Sequence, residues 1–175
     1  MNDLKEITTS EKTIFEGKII TVKIRKVKLP NGGTSVREIV HHNGGVTILV
    51  VDDEYTYLVE QFRNPAQTVL YELPAGKLEK GEDPKAAALR EVNEEVGIVA
   101  NDIIELGYIY STPGFCDEKI YMYAVTDFRN DHQNLDQDEF LNLKRVKISD
   151  LVAMIRDGLI VDGKTISCLY KYLQL

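Results

Sequence analysis

The chain has 175 residues, 43% of them apolar and 28% charged, with a formal net charge of −7. That is enough for one domain with a sizeable core, and the composition is that of an ordinary soluble globular protein. An acidic chain with no Lys/Arg stripe interleaved with aromatics excludes a nucleic-acid binder, and no apolar run approaches a membrane span. The start Met-Asn-Asp-Leu-Lys-Glu has no apolar run, so no signal peptide is expected. Cys116 and Cys168 are far apart with no CxxC pair, so the expectation is incidental thiols in a cytoplasmic protein. His41, His42 and His132 have no ligand spacing.

Alternation through Thr13-Ile14-Phe15 and Ile20-Thr21-Val22-Lys23-Ile24 predicts β structure from Lys12 to Leu29. Pro30-Asn31-Gly32-Gly33 reads as a hairpin turn, and Thr34 to His41 as the returning strand. Gly45 to Val51 is apolar and β-branched, a buried strand. Asp52-Asp53-Glu54 turns it back into Tyr55 to Phe62. Ile103 to Tyr110 and Lys119 to Thr126 read as strands flanking the loop Ser111 to Asp117. Asn130 to Glu139 is polar and acidic and reads as a mobile loop. Phe140 to Val146 is another strand, Ser149-Asp150 opens a helix ending near Gly158, and Asp162 to Leu175 is a last helix. Strands, a helix, more strands and two helices indicate an α+β or mixed α/β fold.

The informative segment runs from Gly76 to Ile98. Asp83 is a good N-cap, Pro84 suits the first helical position, and Ala86, Ala87, Ala88 and Leu89 favour helix. Gly97 supplies a left-handed stop. At 3.6 residues per turn, Glu91, Glu94 and Glu95 share a face with Ala87, while Leu89, Val92 and Val96 face a core. Arg90 can pair with Glu94 at i,i+4. Glu91 and Glu95 are like-charged neighbours, which is unfavourable in water. Glu82 adds a fourth carboxylate near the helix start. Such a concentration of negative charge points to a hard divalent cation and a phosphate-rich substrate. A solvated acidic face is the plain alternative for a Glu-rich helix.

The full spacing decides between them. Gly76, five residues, Glu82, seven residues, Arg90-Glu91, an aliphatic, any residue, Glu94-Glu95, any residue, Gly97 and an aliphatic resembles the Nudix box at every fixed position. The resemblance implies an α/β/α sandwich around a mixed, partly curled sheet. It also implies hydrolysis of a nucleoside diphosphate linked to another group, with two or three Mg²⁺ ions, or Mn²⁺. Ala75 (through its carbonyl), Glu91, Glu95 and Glu82 become the metal ligands, Glu94 a ligand or orienting group, and Arg90 the residue holding the carboxylates.

Glu60-Gln61-Phe62-Arg63, Glu72-Leu73-Pro74-Ala75-Gly76, Arg37-Glu38 and Ser-Thr-Pro113-Gly114-Phe look like the ADP-ribose pyrophosphatase branch. That likeness implies ADP-ribose or a related nucleoside diphosphate sugar as substrate, cleaved to AMP and a sugar 5-phosphate. It places Arg37 and Glu38 at the adenosine end, Arg63 at phosphate or terminal ribose, and Pro113 and Gly114 in the substrate loop. For Arg37 and Glu38 a plain cross-strand ion pair is the alternative. The likeness also implies that residues 1–42 form an arm exchanged within a homodimer, with 43–175 the hydrolase domain. Glu139, with Asp138 second, is expected to serve as general base or further metal ligand. Phe15 is one candidate for stacking on adenine. Other nucleotide substrates (a dinucleoside polyphosphate, NADH, an oxidised nucleotide) and a non-catalytic ADP-ribose sensor are the competing readings.

Overall fold

The computed structural model describes residues 4–135, 137 and 140–175. They fall into two compact units. One comprises the described part of Met1–Gly44 with Tyr110–Lys119, the other Gly45–Ile109 with Ile120–Leu175.

The first unit is built on an antiparallel sheet of β1 (Ile7–Glu16), β2 (Ile20–Lys28) and β3 (Thr34–His42), in that order. The run expected as one stretch from Lys12 to Leu29 is therefore two strands. The chain reverses over residues 17–19, where the Gly17 amide donates to the Ile20 carbonyl at 2.9 Å. A Gly-Lys pair is a weak turn signal, so the alternation on either side reads as continuous. The Pro30–Gly33 turn forms as expected, with Gly32 at φ 85° and its amide 2.9 Å from the Leu29 carbonyl. All ten residues of β1 are exposed, Ile7, Ile14 and Phe15 among them.

The second unit holds a mixed sheet ordered β12-β5-β4-β10-β9, with β6 on β5 and β7 on β4. Its strands are β4 (Gly45–Asp52), β5 (Tyr55–Arg63), β6 (Thr68–Glu72), β7 (Ala75–Lys77), β9 (Ile104–Tyr110), β10 (Lys119–Val125) and β12 (Leu141–Lys147). β10 runs parallel to β4, and β5, β6, β7 and β12 pair antiparallel with their neighbours. β8 (Ile98–Ala100) and β11 (Phe128–Asn130) form a small antiparallel ladder. The helices are α1 (Pro84–Val96), α2 (Ile148–Arg156) and α3 (Gly163–Tyr172).

The period-2 alternation of the central strands sorts the core into two layers. Val46, Ile48 and Val50 of β4 and Tyr123 and Val125 of β10 pack with Ala87, Ala88, Val92 and Val96 of α1. Leu49 of β4 and Met122 and Ala124 of β10 face the other way, onto Leu151 of α2 and Cys168 and Leu169 of α3. The sheet is thus sandwiched between α1 and the α2/α3 pair, the mixed α/β sandwich that the sequence implies. Leu73-Pro74 breaks the chain between β6 and β7, because Pro74 has no N–H to donate. Its carbonyl accepts from Ile48 at 2.9 Å instead. That break carries the chain from the edge of β5 to the start of β4, and it sets Ala75 and Gly76 beside α1.

Candidate functional site

The helix α1 forms for the local reasons legible in the sequence. The Asp83 side chain accepts from the Ala86 amide at 2.9 Å, Pro84 occupies the first turn, and Gly97 closes the helix at φ 74°. Ala87, on the same side as Glu91 and Glu95, is fully buried in the core. Its small side chain lets the helix lie close on β4, and that proximity draws the carboxylate face inward. Glu91 retains 8% and Glu95 1% of its exposure.

Buried carboxylates need partners. Glu95 Oε2 accepts from the Ala75 amide at 2.9 Å. The Glu91 carboxyl lies against the Gly76 backbone, so closely that a Cβ on residue 76 would come within 1.8 Å of it. Gly76 is therefore a matter of space, and its neighbour on β4 is Val46. Arg90 ties the cluster together. Its Nη1 donates to Glu91 at 2.8 Å and to Glu94 at 2.9 Å, and its Nε donates to Glu82 at 3.1 Å. Glu82 also accepts from the Glu79 amide at 2.8 Å. Burial opposes the charge on Arg90, but the bonds to Glu82, Glu91 and Glu94 outweigh it and push its pKa further up. The same guanidinium, helped by the Glu79 amide, holds Glu82 below the usual carboxylate value. Arg90 thus joins Glu82, Glu91 and Glu94, and Glu95 joins α1 to β7. Among the described residues, no three His, Cys, Asp or Glu side chains converge into a ready-made metal cage, the arginine standing between the carboxylates.

A second charged network lies on β5, β6 and α3. Arg63 donates through Nε and Nη2 to the two oxygens of Glu72, both at 2.7 Å. Lys164 pairs with the same carboxylate and, at 3.1 Å, with Asp162. Glu72 is 1% exposed; burial works against its charge, but the two cations hold its pKa below the ordinary value. The Thr165 hydroxyl accepts from the Leu73 amide at 2.8 Å and donates to Asp162 at 2.7 Å. The first turn of α3 therefore anchors the segment leading into Ala75 and Gly76. Sequence reasoning assigned no role to Lys164 or Thr165. Only their position just after the N-cap Asp162 singles them out, and that signal is structural before it is functional.

In the first unit, Arg37 and Glu38 lie on β3. Arg37 forms an ion pair outside its own strand, its guanidinium donating to Glu6 and also to the Ser35 hydroxyl. Arg37 also stands opposite Arg25 in the ladder, and each arginine has its own carboxylate, Glu6 and Glu11. The loop with Pro113 and Gly114 is bound to the same strand. Val40 donates to the Phe115 carbonyl at 2.8 Å, Asp117 donates to the Val40 carbonyl at 3.1 Å, and His41 meets Asp117 at 2.8 Å. Phe15 is 54% exposed. Glu139 and Asp138, expected as general base, lie outside the described residues. Within the stretch expected as a mobile loop, residues 131, 133 and 134 are hydrogen-bonded to the end of α1 and its cap Gly97.

The NUDIX domain family model matches residues 41–166 of this chain. The chain belongs to the NUDIX domain family. It is similar over its whole length to the ADP-ribose pyrophosphatase of Bacillus subtilis (strain 168), 39% identical over 178 residues covering 100% of this chain and 96% of that protein. It is similar to the methanol dehydrogenase activator of Bacillus methanolicus, 38% identical with 98% and 94% covered. A crystal structure of an ADP compounds hydrolase superposes with a TM-score of 0.86 at 22% identity, covering 97% of this chain and 93% of that one. That likeness shows the Nudix fold.

Proposed function

We propose that this Nudix protein hydrolyses the pyrophosphate bond of ADP-ribose or a closely related nucleoside diphosphate sugar, giving AMP and a sugar 5-phosphate. One observation carries the reading: two buried carboxylates, Glu91 and Glu95, are held against the Ala75–Gly76 backbone on a helix whose other acidic groups are organised by Arg90. The 39% identity to an ADP-ribose pyrophosphatase over the full chain supports the substrate.

The donor set fits a hard divalent cation. It offers oxygens only: Glu91 and Glu95 lie about one helical turn apart, Glu82 is tied to Glu91 through Arg90, and Gly76 leaves room where a side chain would collide with Glu91. Glu91, Glu95, Glu82 and the Ala75 carbonyl are the residues that would hold Mg²⁺ or Mn²⁺, two or three ions in all, with Glu94 beside them. Bound divalent cations neutralise diphosphate oxygens and lower the pKa of a bound water. The chain's own contributions are positional. Arg90 sets the spacing of three carboxylates, and the Glu72 clamp fixes the plane of Arg63 for a phosphate or ribose. Glu139, or Asp138, takes the proton of the attacking water.

Arg37, Glu38 and the Pro113–Gly114 loop would bind the adenosine end. Residues 1–42 would act as an arm exchanged within a cytoplasmic homodimer. A ten-residue strand that exposes Ile7, Ile14 and Phe15 supports a second copy covering it. Among the described residues, no helix is long and apolar enough to cross a membrane.

A panel of ADP-ribose, other nucleoside diphosphate sugars, dinucleoside polyphosphates and NADH, each with Mg²⁺ and product analysis, tests the reading. A kcat/KM highest for ADP-ribose supports it. The second reading is a dinucleotide such as NADH, which also contains a pyrophosphate, and a preference for NADH would establish it. Tight binding of ADP-ribose without turnover would point to a sensor.

A further inference from the structure

The last turn of a helix leaves carbonyls without intrahelical partners. In α1 that turn carries Glu94 and Glu95, and a segment distant in sequence supplies the donors. The Gln133 side-chain amide donates to the Glu95 carbonyl at 2.6 Å, and the Asn134 amide donates to the Glu94 carbonyl at 2.9 Å. The Asp131 amide donates to the Gly97 carbonyl at 2.7 Å. Asn93, one turn earlier, reaches Asp131 Oδ2 through its own amide at 3.2 Å. The approach is tight: a Cβ on Gly97 would lie 2.7 Å from the Gln133 amide nitrogen and 3.1 Å from the His132 carbonyl carbon. Gly97 therefore meets two demands, a left-handed φ of 74° and room for a second backbone to lie on it.

We infer that residues 131–134 form a latch on the C-terminal turn of α1, and that Gln133 is a positioning residue for the Glu94 and Glu95 carboxylates. Its amide holds the backbone from which Glu95 projects, and Glu95 in turn bonds the Ala75 amide at 2.9 Å. A loosened last turn lets Glu95 drift from β7 and Glu94 from Arg90, so the effect falls on cation affinity more than on substrate affinity. The inference rests on the proposed metal-dependent function.

The test uses the full chain as wild type, Gln133→Ala and Gln133→Glu, the last replacing the donor by an acceptor that repels the Glu95 carbonyl. Mn²⁺ binding without nucleotide is followed by calorimetry, with KM and kcat for ADP-ribose at saturating metal and amide exchange across residues 131–134. Expected are a Mn²⁺ dissociation constant about tenfold weaker in both variants, in the range typical for outer partners of metal ligands, faster exchange at Asn134, and a KM within about twofold of wild type. A role confined to stability lowers Tm and leaves the Mn²⁺ constant unchanged, and that result would overturn the inference. Wild type that binds no Mn²⁺ would overturn the metal reading itself, and the latch's purpose with it. Wild type that binds Mn²⁺ but spares ADP-ribose removes the substrate while leaving the latch to be judged by the Mn²⁺ constants alone.

Discussion

Replacing Gly76 by alanine separates a site defect from a folding defect. The new Cβ would stand 1.8 Å from Glu91 Cδ and Oε1 and 2.4 Å from Oε2, where ordinary contact begins at 3.4 Å. Relief requires a movement of about 1.6 Å, the difference between 3.4 and 1.8 Å. The strand is poorly placed to supply it, because Gly76 is paired with Val46 and the adjacent Ala75 amide is bonded to Glu95. The Glu91 carboxyl is the end of a flexible side chain and swings away, losing the 2.8 Å bond from Arg90. Rotating a side chain costs the fold little, of order 1 kcal/mol. A catalytic group displaced by an ångström or more costs about 100-fold in rate. Gly76→Ala is therefore expected to keep its far-UV spectrum and a Tm within about 4 °C of wild type, while kcat falls about 100-fold and the Mg²⁺ requirement rises. The assay is AMP release from ADP-ribose across a Mg²⁺ titration, alongside thermal melts. A folded variant with wild-type turnover would refute the placement of Glu91 in the site.

Other perturbations give distinct signatures. Glu95→Gln retains an acceptor for the Ala75 amide, so the fold is expected to persist while kcat falls by several orders of magnitude; near-normal turnover would remove Glu95 from the metal site. Arg90→Gln leaves Glu82, Glu91 and Glu94 without their shared cation. Its Tm should drop in chelator and recover with Mg²⁺ by more than wild type gains; equal gains would count against a common carboxylate cluster. Glu72→Gln strands Arg63 and Lys164 beside a neutral group and is expected to destabilise by about 3 kcal/mol in urea unfolding, the low end for a broken buried pair because Arg63 is 37% exposed. The pH dependence follows from the same residue. Its folded pKa lies below the ordinary 4.5, so its contribution is present above that value and lost as pH falls through the folded one. Wild type should lose more stability than Glu72→Gln between about pH 5 and about pH 3, and parallel curves would contradict the clamp.

Local chemistry made much of this molecule legible from sequence. The N-cap Asp83, Pro84 and Gly97 delimit α1, and an intact Nudix spacing names its carboxylates, because these signals are encoded within a few residues of where they act. Strands β4, β5, β10 and β12 read well for the same reason, whereas the reversal between β1 and β2 did not. Elements whose existence depends on distant partners did not. β7 is three residues long and exists because β4 offers it an edge, and β8 and β11 define each other. α2 begins at Ile148, with no side-chain cap at Lys147, so Ser149-Asp150 misplaced its start slightly. Long-range polar pairing was equally hidden. Arg37 with Glu6, Lys164 with Glu72 and Gln133 with the Glu95 carbonyl are separated by 31, 92 and 38 positions, and no periodicity links them.

The central claim is that the α1 carboxylates serve cleavage of a pyrophosphate by way of a divalent cation. Its most direct test is phosphorus NMR of ADP-ribose incubated with the purified protein, once with Mg²⁺ and once with excess chelator. The account predicts equal amounts of AMP and ribose 5-phosphate in the first sample and intact ADP-ribose in the second. Intact substrate in both, with Mn²⁺ failing as well, or equal cleavage in both, would contradict it.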